Sequence, residues 1–315
     1  MFIRNAKITD YYKIINFIDL NWKKNHILCK NKKIFNHYYR ISKNKLGFIF
    51  AEEQDEIIGL IGYINNKKFN KKIDKDVIWL TMWCTKKNTT TLAGLKLLDF
   101  IEKYFSYNII SSLGVNENVL HIYQRFGYKI GKVNHYYIKN RFKFVQSKHN
   151  DWTLKKELFK GNLTNDNYAK NYTYLINKYT KSRFYKYYNF SVYYKNKPIC
   201  NIVTRKMISK EYKNTILRII DFSGDIKALQ YFAILVFEDK SFGNMQYIDI
   251  LLQSFDNRKF KGFTKTSKSN YLPIYFEPLI KKYSEKNFIY KINKNSVNNN
   301  FIIVTGDCDQ DRPNR

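Results

Sequence analysis

At 315 residues, with 44% hydrophobic and 17% aromatic side chains, the chain can fill the cores of two domains, which excludes an intrinsically disordered protein. Its 56 basic and 26 acidic residues leave a formal charge of +30. The basic residues are scattered, with no block of six or more, and the excess Lys travels with Asn, Ile, Tyr and Phe, as AT-rich codons would produce, so no nucleic-acid partner is expected. Apolar runs such as residues 231–237 are too short to span a bilayer, and no membrane insertion is expected. The first residues lack the charged-then-apolar layout of a signal peptide. Cys29, Cys84, Cys200 and Cys308 have no paired spacing, which argues against a metal site or disulfide framework and for a reducing, cytoplasmic location.

In chain order, Phe2, Ile3 and Arg4 read as a strand, with Thr9 or Asp10 as the N-cap of a helix whose apolar face carries Ile14, Ile15, Phe17, Ile18 and Trp22. Residues 48–51 and 57–64 form a hairpin around a polar turn, and Gly59 and Gly62 inside the second strand predict a bulge or a close backbone approach. The stretch 77–128 organises the rest. It predicts a strand (77–84), a hydroxyl-rich loop (85–91), a helix (92–105) with Leu92, Leu95, Leu98 and Ile101 as its stripe, a strand (108–115) and a short helix (117–126) ending at Gly127-Tyr128. A strand that runs through such a loop into a helix leaves main-chain N–H groups pointing outward, which suits a phosphate or pyrophosphate. A last hairpin is expected at 129–131 and 133–144.

Asn116, followed seven positions later by Tyr123-Gln-Arg-Phe-Gly127-Tyr128, resembles the late motif of the GNAT superfamily of acyl-CoA-dependent N-acetyltransferases. The opening Ile3-Arg4-x-Ala6-x-x-x-Asp10 is also similar to the start of GNAT domains. This resemblance implies an α+β fold with a mixed, mostly antiparallel sheet flanked by helices. It further implies acetyl-CoA as acyl donor and a small-molecule amine as acceptor. The main chain around Trp83, Cys84 and Thr85 would polarise the thioester, and two neighbouring strands would splay apart after Cys84 to receive the cofactor. Thr89, Thr90, Thr91, Leu92, Ala93, Gly94 and Leu95 would hold the pyrophosphate, and Asn116 would bond the coenzyme. Tyr123 would protonate the leaving thiolate. In the pyrophosphate loop only Gly94 matches the family pattern; Thr89 and Leu92 stand where Arg/Gln and Gly are usual. The Cys84 thiol reads as inert core. The general base stays open among Glu52, Glu53 and His121, and the basic, aromatic region 25–45 would line the acceptor side.

Polar residues 145–150 mark a boundary, giving domains 1–146 and 150–315. The second half repeats the first loosely: a hairpin at 189–194 and 199–203, a strand (216–222), a helix (225–238), a strand (246–252) and Lys261-Gly262-Phe263 in place of Gly127-Tyr128. It lacks the phosphate-type loop and has Arg258 where a Tyr would stand. The expectation is therefore a tandem of GNAT-like domains, the second degenerate, as also occurs in Fem-type aminoacyltransferases. Arg205, Arg218 and Asp221 form a polar set there, either an interdomain ion pair or contacts to a nucleotide-sugar phosphate. Asp307, Asp309 and Asp311 alternate. In extended backbone they would share one face and could hold an ammonium-bearing acceptor or a divalent metal; the competing reading is a solvated tail. This ending also resembles that of GNAT-type proteins encoded among surface-polysaccharide genes. An amino sugar nucleotide acceptor, a Fem-like aminoacyltransferase and a non-catalytic scaffold all remain open.

Overall fold

The computed structural model describes residues 1–315 apart from 74–75, 88, 90, 141–150, 164–169, 182–183, 209–214, 244, 255–259, 261, 273–282, 284, 294–301 and 312–315, and apart from the side chains at 91, 240 and 254. The first half forms β1 (Phe2–Lys7), α1 (Tyr11–Asn21), α2 (Ile27–Lys30), α3 (Lys32–Tyr39), β2 (Lys45–Glu53), β3 (Glu56–Asn65), β4 (Val77–Thr85), α4 (Thr91–Tyr104), β5 (Ile109–Leu113), α5 (Leu120–Arg125) and β6 (Lys129–Lys139). Then come β7 (Trp152–Lys155), α6 (Tyr172–Leu175), β8 (Tyr187–Tyr194), β9 (Lys197–Ile208), β10 (Thr215–Gly224), α7 (Ala228–Glu238), β11 (Met245–Ser254), β12 (Thr264–Lys265), β13 (Lys286–Ile292) and β14 (Ile302–Val304). Two compact units result. One comprises Met1–Ile130, Phe288–Ser296 and Cys308–Arg315; the other comprises Gly131–Asn287 and Val297–Asp307. The boundary expected at 145–150 lies outside the described residues. No helix among those described is long and apolar enough to cross a membrane.

In the first unit the strand order is β1-β2-β3-β4-β5-β13. Only β4 and β5 run parallel; the other pairs are antiparallel. Gln54 and Asp55 both adopt positive φ, the two-residue turn that matches strand twist. Helix α4 buries Ala93, Leu97, Leu98 and Ile101 against Ile49, Ile61, Leu80 and Ile110. Each such aliphatic side chain contributes about 1.5–3 kcal/mol. The expected stripe is rotated, since Leu92 is 51% exposed and Ala93 takes its place. On the other face Tyr39 of α3 packs on Phe48. Asp10 does not cap α1 through its side chain. Its carboxylate takes the Lys7 N–H and two bonds from the Arg4 guanidinium, which also grips Glu52. Burial pushes the Asp10 carboxyl up, but these bonds outweigh it and hold it below the usual range.

The second unit has the order β6-β11-β10-β9-β8-β7, again with one parallel pair, β10 with β11. Leu229, Phe232, Ala233 and Val236 of α7 cover Phe190, Ile202, Leu217 and Ile250. Lys195 and Asn196 repeat the positive-φ hairpin turn. Strand β14 also joins β11, with Leu252 opposite Val304. The hairpin expected within 129–144 does not form. Strand β6 runs unbroken from Lys129 to Lys139, and its residues 134–139 pair with β11. Each unit therefore completes its sheet with a strand from the other half of the sequence, β13 in the first and β6 in the second.

Candidate functional site

Strand β4 pairs with β5 only from Val77↔Ile109 to Leu80↔Ser112. It then continues beside β3 to Gly59↔Thr85, while β5 runs on beside β13 to Leu113. The β3/β4 register shifts between Ile61 and Tyr63, a bulge that adds a residue to β4. Gly62 is required there because the Thr81 hydroxyl occupies the space its Cβ would need. The strands thus part after Leu80, four residues before the expected Cys84. The bulge expected from a glycine inside β3 falls at Gly62, where β4 turns away from β5.

Beyond the fork the β4 side chains alternate between faces. The Trp83 indole N–H donates to the Gly94 carbonyl at 3.2 Å, on the α4 face. The Cys84 thiol lies 3.2 Å from the Asn21 carbonyl, and burial pushes it up to about 11, so it is no thiolate at neutral pH. The Thr85 methyl lies beside Gly59 and Gly94. Helix α4 starts at Thr91, so the N–H groups of its first turn have no intrahelical acceptor. Ala93 turns its methyl into the core, and Leu95 is half-buried, so both could hold a cofactor only through main chain. Thr89 folds its hydroxyl back onto the Lys86 carbonyl at 2.7 Å. Thr90 and the Thr91 side chain lie outside the described residues.

Tyr123 sits on α5 with 2% of its surface exposed, edge-on to Trp83 at 5.1 Å and to Tyr128 at 5.2 Å. Gly127 has φ +79, and the chain closes with Tyr128 N–H on the Tyr123 carbonyl and Gly127 N–H on the Gln124 carbonyl. This left-handed helix stop is why glycine followed by an aromatic residue stands here. Burial raises the Tyr123 phenol far above its ordinary value, which keeps it a proton donor. Asn116 takes up the turn-forming role: its side-chain oxygen accepts the Asn118 N–H at 3.0 Å.

The three candidate bases differ in their surroundings. Glu52 is held by Arg4, Glu53 is exposed 3.7 Å from the N-terminal ammonium, and His121 is exposed on α5. The acidic segment is neither extended nor solvated. Residues 305–311 form turns, Cys308 has φ +59, and Asp307, Asp309 and Asp311 are all buried, so they do not share a face. In the first unit Asp309 accepts the Tyr39 hydroxyl at 2.7 Å, and the Gln310 amide donates to the Leu113 carbonyl at 3.0 Å. The Cys308 sulfur lies 3.6 Å from the Leu80 carbonyl, where β4 and β5 part. Sequence reasoning noticed the carboxylates and could not foresee this return to the fork. The only signal was charge density against a basic background.

In the second unit Asp307 pairs with Lys170 at 2.8 Å, and Asp221 pairs with the same ammonium at 2.7 Å. The Tyr179 hydroxyl is 2.6 Å from Asp221. Burial opposes the Lys170 ammonium, but the two carboxylates outweigh it and hold its pKa above the ordinary lysine value. Burial and then the Asp221 charge hold Asp307 up, although Lys170 pulls the other way. Arg218 is buried against Asp249 on the neighbouring strand, and His135 reaches the same carboxylate at 2.9 Å. Arg205 stacks over Tyr185 at 3.7 Å. The expected polar set therefore divides, and its ion pairs lie within one unit. Among the described residues no group of three or more His, Cys, Asp or Glu is placed to hold a metal ion.

No family model and no curated protein matches the sequence. Solved structures do resemble the fold. A GCN5-related N-acetyltransferase from Anabaena variabilis aligns over 92% of this chain and 72% of its own, with 12% identity and a TM-score of 0.57. A probable N-acyltransferase from Enterococcus faecalis aligns over 93% and 73%, with 10% identity and a TM-score of 0.53. A GCN5-related N-acetyltransferase from Kribbella flavida aligns over 92% and 70%, with 8% identity and a TM-score of 0.51. A parallel strand pair that parts at a bulge, within a sheet otherwise antiparallel, thus belongs to a known architecture: the chain has the fold of the GCN5-related N-acetyltransferases.

Proposed function

We propose that the first unit is an N-acetyltransferase that takes its acyl group from acetyl-CoA and delivers it to a small amine. The observation that carries this reading is the departure of β4 from β5 after Leu80, which leaves residues 81–85 without β5 beside them. Bound acetyl-CoA would supply an activated thioester. The main chain of Trp83, Cys84 and Thr85 would hold its carbonyl and pantetheine arm, and the first turn of α4, from Thr91 to Gly94, its pyrophosphate. Tyr123, kept protonated by burial, would give its proton to the leaving sulfur. The positive field of the chain would draw a phosphate-bearing acceptor, so an amino sugar nucleotide of the kind used in polysaccharide synthesis is the acceptor to try first. The buried thiols of Cys200 and Cys308 are in keeping with a cytoplasmic setting.

The second unit, on this reading, is a degenerate GNAT-like domain that binds no coenzyme. The Gly306 N–H already occupies the Ile220 carbonyl at the corresponding fork. A second reading, a scaffold without catalysis, is favoured by the pyrophosphate loop, where Thr89 is folded onto its own chain and Leu92 replaces a glycine. A Fem-like aminoacyl transfer would use the same fold with another donor. Thermal unfolding with and without acetyl-CoA separates them. Stabilisation approaching about 2.7 kcal/mol at a hundredfold excess over the dissociation constant supports acyl-CoA binding. No shift with acetyl-CoA or a longer acyl-CoA leaves the scaffold.

A further inference from the structure

Acyl transfer to an amine needs a group to take the proton of an ammonium; Glu52 is engaged by Arg4, Glu53 is exposed beside the N-terminal ammonium, and His121 is exposed on α5. On the acyl-transfer reading above, we propose that Asp309, carried back to the first fork by the turn Cys308–Asp311 and oriented by Tyr39, is the proton acceptor for the amine.

Three observations converge on it. The first is location. The Cys308 sulfur lies 3.6 Å from the Leu80 carbonyl and 3.5 Å from one Asp309 oxygen, and Gln310 is bonded to the Leu113 carbonyl of β5. The segment therefore touches both strands where they separate. The second is the face. Tyr39 packs on Phe48, which with Thr81 crowds Gly62, whereas Ile49, the neighbour of Phe48, packs under α4. Successive strand residues face opposite sides, so Asp309 flanks the fork on the face opposite α4. Tyr123 touches Trp83, whose indole bonds α4, so it flanks the fork on the α4 face. An acid for the sulfur and a base for the nitrogen must stand on opposite sides of the thioester, and these two do. The third is an unmet polar group. The Thr81 hydroxyl, on the Tyr39 face at the first residue past the fork, is buried and takes no hydrogen bond. A polar acceptor would satisfy it.

In the step proposed, the acceptor ammonium gives one proton to the Asp309 carboxylate. The neutral nitrogen attacks the thioester carbonyl carbon; the C–N bond forms, the C–S bond breaks and the sulfur leaves as thiolate. The thiolate takes the Tyr123 proton; the second proton of the nitrogen and the proton on Asp309 pass to solvent, and solvent reprotonates Tyr123 before the next turnover. The Tyr39 hydroxyl, 2.7 Å from the other Asp309 oxygen, orients the carboxylate.

The test compares CoA release from acetyl-CoA with two probes, n-butylamine, protonated at neutral pH, and hydroxylamine, which is not. Asp309→Asn should lose about a hundredfold of the butylamine-dependent rate and keep the hydroxylamine-dependent rate within threefold. Tyr39→Phe should lose about tenfold on the same pattern. Equal losses with both probes would overturn the proposal and leave Asp309 a structural clasp. So would a wild-type enzyme that binds acetyl-CoA and is stimulated by neither amine, because a base built for an ammonium should act on a small one. Acetyl-CoA-induced thermal stabilisation of wild type and D309N keeps the two levels apart. Its loss in wild type removes the acyl-transfer reading itself; its retention in both, with equal rates for butylamine, removes only the role of Asp309.

Discussion

The two units carry the same strand plan and use its fork differently. In each, a parallel pair stops short, at Leu80↔Ser112 in the first and Ile219↔Ile250 in the second, and in each the outer neighbour shows a register shift at that point. Past the bulge the first fork presents Met82, Trp83, Cys84 and Thr85, apolar or uncharged side chains that leave the main chain to act. At the matching place the second presents Asp221, whose carboxylate holds Lys170, lies beside Tyr179 and also takes the Phe222 N–H, while Gly306 bonds the Ile220 carbonyl. A fork can keep its backbone edge for a ligand or spend it on its own chain. Two residues after the parting stand Met82 in the first unit and Asp221 in the second.

That contrast can be broken by substitution. The largest effect is expected from Lys170→Met, which strands two buried carboxylates in the second unit. Urea unfolding should show a loss of about 3–5 kcal/mol, with acetyl-CoA-induced stabilisation retained in whatever fraction folds. A loss below 1 kcal/mol would mean that the network does not close the second fork.

Next comes the end of each forked strand. Gly224 has φ +110, and a Cβ there would run into the Ile199 carbonyl and lie 2.7 Å from the Cys200 Cα. Gly224→Ala should therefore cost about 3 kcal/mol. Its counterpart Thr85 tolerates a side chain, and Thr85→Ala should cost under about 1 kcal/mol. Equal costs would show that the two strand ends are not different in kind.

The smallest effect is electrostatic. The folded-state pKa of Asp307 is raised, so the folded protein keeps a proton that the unfolded chain gives up. Stability from this group falls as pH rises from the ordinary Asp range through the elevated value. The stability of wild type relative to Asp307→Asn should decline across that window, by less than the about 1.4 kcal/mol per pH unit that one proton allows. A relative stability that climbs with pH would reverse the assignment.

Much of this was legible in the residues. From β4 through β5 the expected bounds lie within one or two residues of the observed ones, and the last helix, expected from 117, opens with a 3-10 turn at Glu117–Val119 before α5. Apolar spacing, the αL-demanding Gly127 and the polar loop all agree locally. The Asn116…Tyr123…Gly127 order pointed to the right fold. The α4 stripe was rotated because Leu92 and Ala93 are both apolar, and only the sheet beneath decides which is buried. The hairpin at 129–144 failed for a different reason: an apolar strand does not say which strand will pair with it.

What the sequence alone determined is local: where strands and helices lie, where the chain must turn left-handed, that a glycine in β3 would sit at a bulge, and that Cys84 would be an unreactive thiol. Tertiary structure decided everything that joins distant residues. It set the exchange that gives β13 to the first unit and β6 to the second, and the burial of Asp309 against Tyr39, 270 positions away. The physical reason is that periodicity and turn chemistry act over a few residues, whereas strand partners and carboxylate partners are chosen by which arrangement leaves the fewest polar groups unpaired.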